Sequence, residues 1–321
     1  MKFSKATRKT AKARVALVGP SGSGKTMTAL FVALGLVGKA GRIAVLDTER
    51  GSASKYAGDP DIPDFDACEL STFSPLTYVE GIREAIRAGY DAIVIDSLSH
   101  AWMGKDGALE QVDRAAKRAK SSFMAWREVT PMHNELVDAL VQAPMHVLVT
   151  MRSKTEYVIE DDDRGKKVPR RVGIGPVQRD GLEYEFDVVG DMDLDNTLVV
   201  TKTRCRSLSG AVVRKPTVQL GLTLAAWLQQ GEPVPTVEPE TVSRMRELLD
   251  ALPGAEAPVL SRLQIARLED MPADKATHVM GWLESKLPKA TPPATTSNPL
   301  GELAAALAGA VATEGTPGNG V

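Results

Sequence analysis

Apolar runs and stretches with helical spacing alternate along the chain up to about residue 230. The apolar runs predict strands at residues 14–18, 42–47, 67–70, 92–96, 146–151, 187–191 and 197–201. Helical spacing predicts helices at residues 24–37, 75–88, 121–141 and 222–230. Such alternation is typical of βαβ units, so we predict an α/β domain with a mostly parallel central sheet.

The pattern changes in the segment that follows the fifth predicted strand. Residues 155–160 and 167–172 each have the composition of a strand, and the acidic and glycine-containing stretch 161–166 separates them. Two strands joined by a short polar turn indicate a β-hairpin. We therefore expect a charged hairpin that protrudes from the sheet.

A third pattern begins at a proline-rich stretch, residues 232–239. Short amphipathic helices are predicted after it at about 240–252, 259–268 and 273–287. Beyond residue 288 the chain is rich in Ala, Thr, Pro and Gly, a composition typical of disorder. The predicted organisation is a flexible basic arm (1–12), an α/β domain (13–231), a linker (232–239), a small helical domain (240–288) and a disordered tail (289–321).

Composition narrows the possible functions only slightly. Hydrophobic residues make up 43% of the 321 residues, enough for a sizeable core, and the net charge of -2 excludes a uniformly basic nucleic-acid coat. Cys68 and Cys205 have no metal-binding spacing. No apolar stretch reaches the roughly 20 residues that span a bilayer. We expect a cytoplasmic protein with no membrane partner.

A glycine-rich segment follows the first predicted strand and precedes the first predicted helix. It has the pattern G-x-x-x-x-G-K-[ST] and consists of Gly19, Pro20, Ser21, Gly22, Ser23, Gly24, Lys25 and Thr26. In such a P-loop, small residues let backbone N–H groups surround the β-phosphate, and the helix N-terminus adds its positive end. Lys25 would reach the β- and γ-phosphates, and Thr26 would ligate Mg²⁺. An ordinary Gly/Ser turn could match by chance, but the strand–loop–helix context favours binding of a nucleoside triphosphate.

Hydrolysis also requires carboxylates near the phosphates. The apolar strand at 92–96 ends in Asp96, which has the Walker B form and would hold the Mg²⁺ shell; the alternative is a carboxylate that caps the next turn. Glu49 lies just past the second predicted strand, at the edge where a doubly wound sheet binds ligands. We predict Glu49 to be the general base that accepts a proton from water. Asp47 is the less favoured candidate, and a surface role for Glu49 stays open.

The order of these motifs resembles that of a known family. A P-loop, Leu-Asp-Thr-Glu at 46–49 and Val-Ile-Asp-Ser at 94–97 are similar to the RecA-like recombinases, especially the phage-encoded RecA-like ATPases of single-strand-annealing systems. The resemblance covers residues 12 to 230 and implies a RecA-like P-loop NTPase core that hydrolyses ATP with Mg²⁺. It implies that Glu49 polarises the attacking water and that Tyr56 stacks on the nucleotide. A Tyr56 side chain that packs on the sheet is nearly as well supported.

The same resemblance extends to residues 147–154, which match the strand that carries the γ-phosphate sensor. RecA has Gln where this chain has Thr150, so either Thr150 senses the phosphate more weakly or Arg152 has taken that role. The hairpin falls where the family has a DNA-binding loop. The DNA-binding residues that this placement implies are Arg152, Lys154, Arg164, Lys166, Lys167, Arg170, Arg171 and Arg179. A solvated hairpin whose acidic run pairs with its own basic strand is the alternative.

Lys202 and Arg204 resemble the basic strand end through which RecA-like subunits reach the ATP of a neighbour. In that role they would neutralise γ-phosphate charge in trans, and activity would require a homo-oligomer. A basic strand end that binds nucleic acid or solvent is the alternative.

Together these features predict an ATPase that acts on single-stranded DNA in recombination, annealing or replication. An annealing or single-strand-binding protein is a possible partner, and the host cytoplasm is the expected location if the protein is phage-encoded. Three other hypotheses remain: a hexameric helicase or packaging motor, a slow nucleotide-gated binding module, and, ranked last, a small-molecule kinase.

Overall fold

The computed structural model of the protein describes residues 11–118, 122–161, 167–231, 236–263, 265 and 267–286. The chain divides into two compact units, one of residues 11–230 and one that contains the described residues from 231 onward. No helix in these ranges combines the length and the apolar character that crossing a membrane requires.

A mixed sheet forms the centre of the first unit, and its described part has nine strands. These are β1 (Arg14–Gly19), β2 (Ile43–Asp47), β3 (Asp66–Glu69), β4 (Ala92–Asp96), β5 (His146–Asp161), β6 (Lys167–Pro176), β7 (Val188–Met192), β8 (Thr197–Thr203) and β9 (Val212–Arg214). The order across the sheet is β3-β2-β4-β5-β1-β7-β8-β9, with β6 paired to β5. The first six strands of this order are parallel; β8 pairs antiparallel with β7, and β9 pairs antiparallel with β8. The predicted α/β fold with a mostly parallel sheet is confirmed.

Six α-helices lie between or after the strands in the described part of this unit. They are α1 (Lys25–Val37), α2 (Pro75–Arg87), α3 (Ser99–Met103), α4 (Ala108–Ala116), α5 (Ser122–Gln142) and α6 (Val218–Leu228). The sequence pattern did not predict α3 and α4, which are short and flank Gly104 and Gly107. Helix α6 begins earlier than predicted because Thr217 caps it, its side chain accepting from Gln219 N at 3.3 Å.

Helices cover both faces of the sheet. Alternate residues of β1 point to opposite faces: Val15 and Leu17 join the core under α1 and α6, whereas Ala16 and Val18 join the core under α2 and α5. Helices α1 and α6 approach closely at two glycines. A Cβ on Gly35 would lie 2.4 Å from the Val218 carbonyl oxygen, and one on Gly221 would lie 2.3 Å from that of Val32. Larger residues at these positions would force the helices apart.

The expected hairpin is formed by β5 and β6. Strand β5 continues beyond its pairing with β1, and its outer part pairs antiparallel with β6 from Ser153 opposite Pro176 to Asp161 opposite Lys167. The returning strand is longer than the predicted 167–172. The turn residues 162–166 lie outside the described residues.

The second unit contains α7 (Pro239–Asp250), α8 (Glu256–Leu263) and α9 (Ala273–Lys286). These helices enclose their own core, in which Met245, Val259, Met271, Val279 and Leu283 are fully buried. Most of the predicted arm, half of the linker and the predicted tail lie outside the described residues. The predicted domain boundaries stay predictions.

Candidate functional site

Strand order brings the candidate residues to one edge of the sheet. Strands β1, β5, β4 and β2 are parallel neighbours, so their carboxyl ends lie side by side. In register, Asp47 lies opposite Asp96, and Gly19 lies opposite Arg152. The loops that follow these strand ends share one crevice, the usual ligand site of such sheets.

The glycine-rich loop joins β1 to α1 in this crevice. Gly24 is the N-cap of α1 with φ 79°, a left-handed conformation that favours glycine, and it supplies no side-chain acceptor to the first helical turn. A Cβ at Gly24 would lie 2.9 Å from Asn196 Nδ2. The uncapped start of α1 and the lack of space for a side chain fit a phosphate group bound by backbone N–H groups.

Lys25 lies along its own loop. Its Nζ donates a hydrogen bond to the Pro20 carbonyl oxygen at 2.6 Å and lies 3.4 Å from Ser23 Oγ. Burial lowers the pKa of Lys25, and the charges of Asp96 and Glu49 partly offset this effect. The ammonium is therefore a point charge held at the loop, where it interacts electrostatically with both carboxylates.

Asp96 is the centre of a buried hydroxyl network. Its Oδ2 accepts from Thr26 Oγ1 at 2.6 Å, and its Oδ1 accepts from Thr150 Oγ1 at 2.5 Å. Burial raises the pKa of Asp96, while the hydrogen bonds from Thr150 and Thr26 act in the opposite direction. Mg²⁺ prefers oxygen ligands, and the Thr26 hydroxyl and the Asp96 carboxylate supply them beside the loop. These two residues fit the predicted metal role.

Asp47 shapes the loop that carries Glu49. Its Oδ1 accepts from the Glu49 backbone N–H at 2.6 Å, and its Oδ2 accepts from that of Ala53 at 3.0 Å. The residue is fully buried. Because both carboxylate oxygens are occupied by backbone donors, Asp47 is placed to position Glu49 rather than to act as the base.

Glu49 reaches the same crevice but is already paired. Its Oε1 lies 2.7 Å from Arg152 Nη2 and 4.0 Å from His100 Nε2. The side chain of Glu49 is 30% exposed and that of Arg152 is 42% exposed. Arg152, which was predicted to bind DNA or to sense the γ-phosphate, contacts the predicted base through its side chain. Both predicted roles stay predictions.

His100 is a site residue that is absent from the predicted set given above. Its Nδ1 lies 2.7 Å from Thr48 Oγ1, and its ring stacks on Phe73 at 4.9 Å between centroids. Burial is the main cause that lowers the pKa of His100, and Arg152 lowers it further. The neutral ring links the Glu49 loop to α3. Its position four residues after Asp96 is the signal that could have identified it.

Other predicted site residues lie farther from this cluster. Tyr56 is partly buried and packs against the core under α1, so its stacking role stays a prediction.

Lys154 Nζ lies 3.9 Å from Asp180 Oδ1, and Arg179 lines a surface cavity beside α5. The backbone of Lys167, Arg170 and Arg171 lies on β6. Arg164 and Lys166 lie outside the described residues. The DNA-binding set therefore stays a prediction.

Lys202 and Arg204 lie at the opposite edge of the sheet from the glycine-rich loop. Strand β8 runs antiparallel to β7, and Thr203 pairs with Val188 at the amino end of that strand. Arg204 Nη1 lies 2.8 Å from Asp187 Oδ1. Lys202 Nζ donates to the carbonyl oxygens of Glu183, Tyr184 and Phe186 at 3.0, 2.6 and 2.6 Å.

These contacts are all within one chain, where neither cation can reach the loop at the other edge. A role in trans stays a prediction.

Comparison with known proteins agrees with this geometry. A family model described as an AAA domain matches residues 11–212, a range that begins three residues before β1 and ends at the first residue of β9. No curated protein matches the chain. The matched range is more than half of the chain and includes the glycine-rich loop, Glu49, Asp96 and Arg152. The chain belongs to the AAA domain family of P-loop ATPases.

Proposed function

We propose that this protein is a Mg²⁺-dependent, RecA-like ATPase that acts on single-stranded DNA in recombination, annealing or replication. The observation that carries the hydrolytic part is the convergence of Lys25, Thr26, Asp96 and Glu49 at one edge of the sheet. Each has the chemistry that phosphoryl transfer to water needs at that position.

The residues of this chain divide the work among them. Backbone N–H groups at the start of α1 hold the phosphates, and Lys25 exchanges its Pro20 contact for phosphate oxygens. Thr26 and Asp96 would hold the metal ion, which would supply charge neutralisation. Glu49, positioned by Asp47, accepts a proton from the attacking water.

Placement of the hairpin supports the DNA-binding part of the proposal. Strand β5 passes beside the P-loop strand and then continues as one arm of the hairpin. Lys154 and the basic residues beyond it therefore lie on the same strand as Arg152, which contacts the predicted base. Basic residues along such an arm can follow a phosphodiester backbone.

Assembly into a homo-oligomer is part of the same proposal. Arg204 would contact the nucleotide of a neighbouring subunit, since its side chain is 57% exposed although it pairs with Asp187. If so, mixing Lys25→Ala subunits with Arg204→Ala subunits restores part of the ATPase activity. Mixtures as inactive as the separate variants contradict the role in trans.

A slow nucleotide-gated module is the second candidate, because the predicted base is paired with Arg152. Phosphate release with and without single-stranded DNA separates the two. An ATPase stimulated by DNA supports the first candidate, whereas ATP-dependent DNA affinity with negligible turnover supports the second.

The decisive variant is Lys25→Ala, with exposed Lys39→Ala near the other end of α1 as the matched control. Loss of a charge-assisted hydrogen bond of about 1.5–3 kcal/mol weakens ATP binding by roughly 10- to 150-fold. The measurement is isothermal titration with ATP, followed by the phosphate-release assay. Robust hydrolysis by Lys25→Ala, or equal loss in Lys39→Ala, contradicts the site.

A further inference from the structure

We propose that Arg152 exchanges its ion-pair partner, Glu49, for the γ-phosphate of the bound nucleotide, so that Glu49 is released as a base only when a triphosphate is present. The inference rests on the proposed function and adds to it a control of hydrolysis by residues of the same chain.

Glu49 is paired with Arg152 in the structure. Its Oε1 accepts a hydrogen bond from Arg152 Nη2 at 2.7 Å. While this bond persists, the guanidinium takes a place on Oε1 that a water molecule could otherwise occupy. His100 Nε2 lies 4.0 Å from the same oxygen, too far for a hydrogen bond, so the direct contact with the carboxylate comes from Arg152. Breaking the Arg152 contact therefore frees Oε1 for a water molecule.

The Arg152 side chain can move although its backbone is held in place. Its backbone is fixed, because its N–H donates to Ser99 Oγ at 2.9 Å and its carbonyl oxygen accepts from Val177 N at 2.7 Å. The side chain is 42% exposed and is the part that can move. Thr150, two residues earlier, is fully buried and donates its hydroxyl proton to Asp96. Of these two sensor candidates, Arg152 is the one that can change its partner.

Arg152 also lies beside the predicted phosphate site. Arg152 pairs in register with Gly19, the first residue of the glycine-rich loop. Arg152 and Glu49 also act in opposite directions on the pKa of Lys25, which places all three in one electrostatic neighbourhood. A guanidinium binds phosphate oxygens in a bidentate manner, and a terminal phosphate carries more charge than a carboxylate. ADP has no γ-phosphate, so with ADP the Arg152–Glu49 pair persists.

A binding experiment tests the exchange without relying on turnover. Affinities for ADP and for a non-hydrolysable ATP analogue are measured by isothermal titration with Mg²⁺. The proteins are the wild type, Arg152→Ala, Glu49→Gln and the double variant. Arg152→Ala is expected to lose roughly 10- to 150-fold in analogue affinity, the range of a charge-assisted hydrogen bond, with ADP affinity unchanged.

Glu49→Gln gives the more specific result. It removes the competing carboxylate, so analogue affinity rises by about 2- to 5-fold, the value of a partly exposed ion pair, while ADP affinity stays constant. In the Arg152→Ala background the same substitution has no effect. Arg83→Ala is the matched control, because Arg83 forms a similarly exposed pair with Glu135 at 2.9 Å on α2 and α5. It leaves both affinities unchanged.

The outcomes separate the two proposals. Equal shifts for ADP and the analogue in both variants, with nucleotide binding otherwise intact and dependent on Lys25, overturn the exchange and leave the proposed function standing. The proposed function is overturned, and the exchange with it, if the wild type binds neither nucleotide or binds them no more tightly than Lys25→Ala does.

Discussion

The hydroxyl of Thr150 provides a sharp test of how Asp96 is held in its buried position. Thr150 is fully buried, and its Oγ1 donates to Asp96 Oδ1 at 2.5 Å. Thr150→Val replaces the hydroxyl by a methyl group of similar size and removes this donor. Thr26 still donates to Oδ2 at 2.6 Å, so one carboxylate oxygen keeps its partner and the other loses it.

The expected cost follows from the charge on the acceptor. A hydrogen bond to a charged group contributes about 1.5–3 kcal/mol, so Thr150→Val should lower the free energy of unfolding by about that amount at neutral pH. Thr150→Ser is the control. It keeps the hydroxyl and loses one methyl group, which costs about 1 kcal/mol and does not depend on the charge of Asp96.

Changing the pH separates the loss of the hydrogen bond in Thr150→Val from the loss of the methyl group in Thr150→Ser. Burial raises the pKa of Asp96 in the folded state, and loss of the Thr150 donor raises it further. Between the ordinary carboxyl value and this raised pKa, the folded protein binds more protons than the unfolded chain, so the stability contributed by this group increases as pH falls. The deficit of Thr150→Val therefore narrows on acidification, whereas that of Thr150→Ser stays constant.

Urea unfolding followed by circular dichroism at several pH values measures both deficits. A Thr150→Val deficit below about 0.5 kcal/mol would show that the hydroxyl does not hold the carboxylate, since this is far under the expected value. A deficit that does not change with pH would refute the assignment of the effect to the charge of Asp96.

Two further predictions concern the loop and the far edge of the sheet. Gly24→Ala should abolish ATP binding, as measured by isothermal titration, because the residue has φ 79° and its Cβ would lie 2.9 Å from Asn196 Nδ2; retained affinity would contradict this. His146 is buried, and its Nδ1 accepts from Ala13 N at 3.0 Å; burial lowers its pKa to about 3. The unfolded chain therefore binds more protons between about pH 6.5 and 3, and stability falls with acidification by about 1.4 kcal/mol per pH unit from this group. His146→Leu should have a lower free energy of unfolding than the wild type at pH 7. Between pH 7 and 5, however, the variant should lose about 2 kcal/mol less of that free energy than the wild type does, as measured by urea unfolding. Equal losses in the two proteins would contradict the prediction.

Local patterns in the sequence were sufficient for the main elements of the fold. Apolar runs identified the parallel strands β1, β2 and β4 to within a residue, because a strand buried on both faces must be apolar throughout. The P-loop was equally clear, since its eight residues are contiguous and their spacing sets the backbone shape. Helices α3 and α4 were missed because they are short and lie beside glycines, and tertiary packing stabilises such segments more than their own propensity does.

Contacts between distant residues depended on the order of the strands, which no local pattern specifies. Insertion of β5 between β4 and β1 brings Arg152 to Glu49 across 103 residues and Thr150 to Asp96 across 54. The antiparallel direction of β8 sends Lys202 to the opposite edge. The sequence by itself determined which residue types could bind a nucleotide and which segments form strands. Only the tertiary structure decided which charges meet, because ion pairing depends on separations of a few ångströms in space rather than on spacing along the chain.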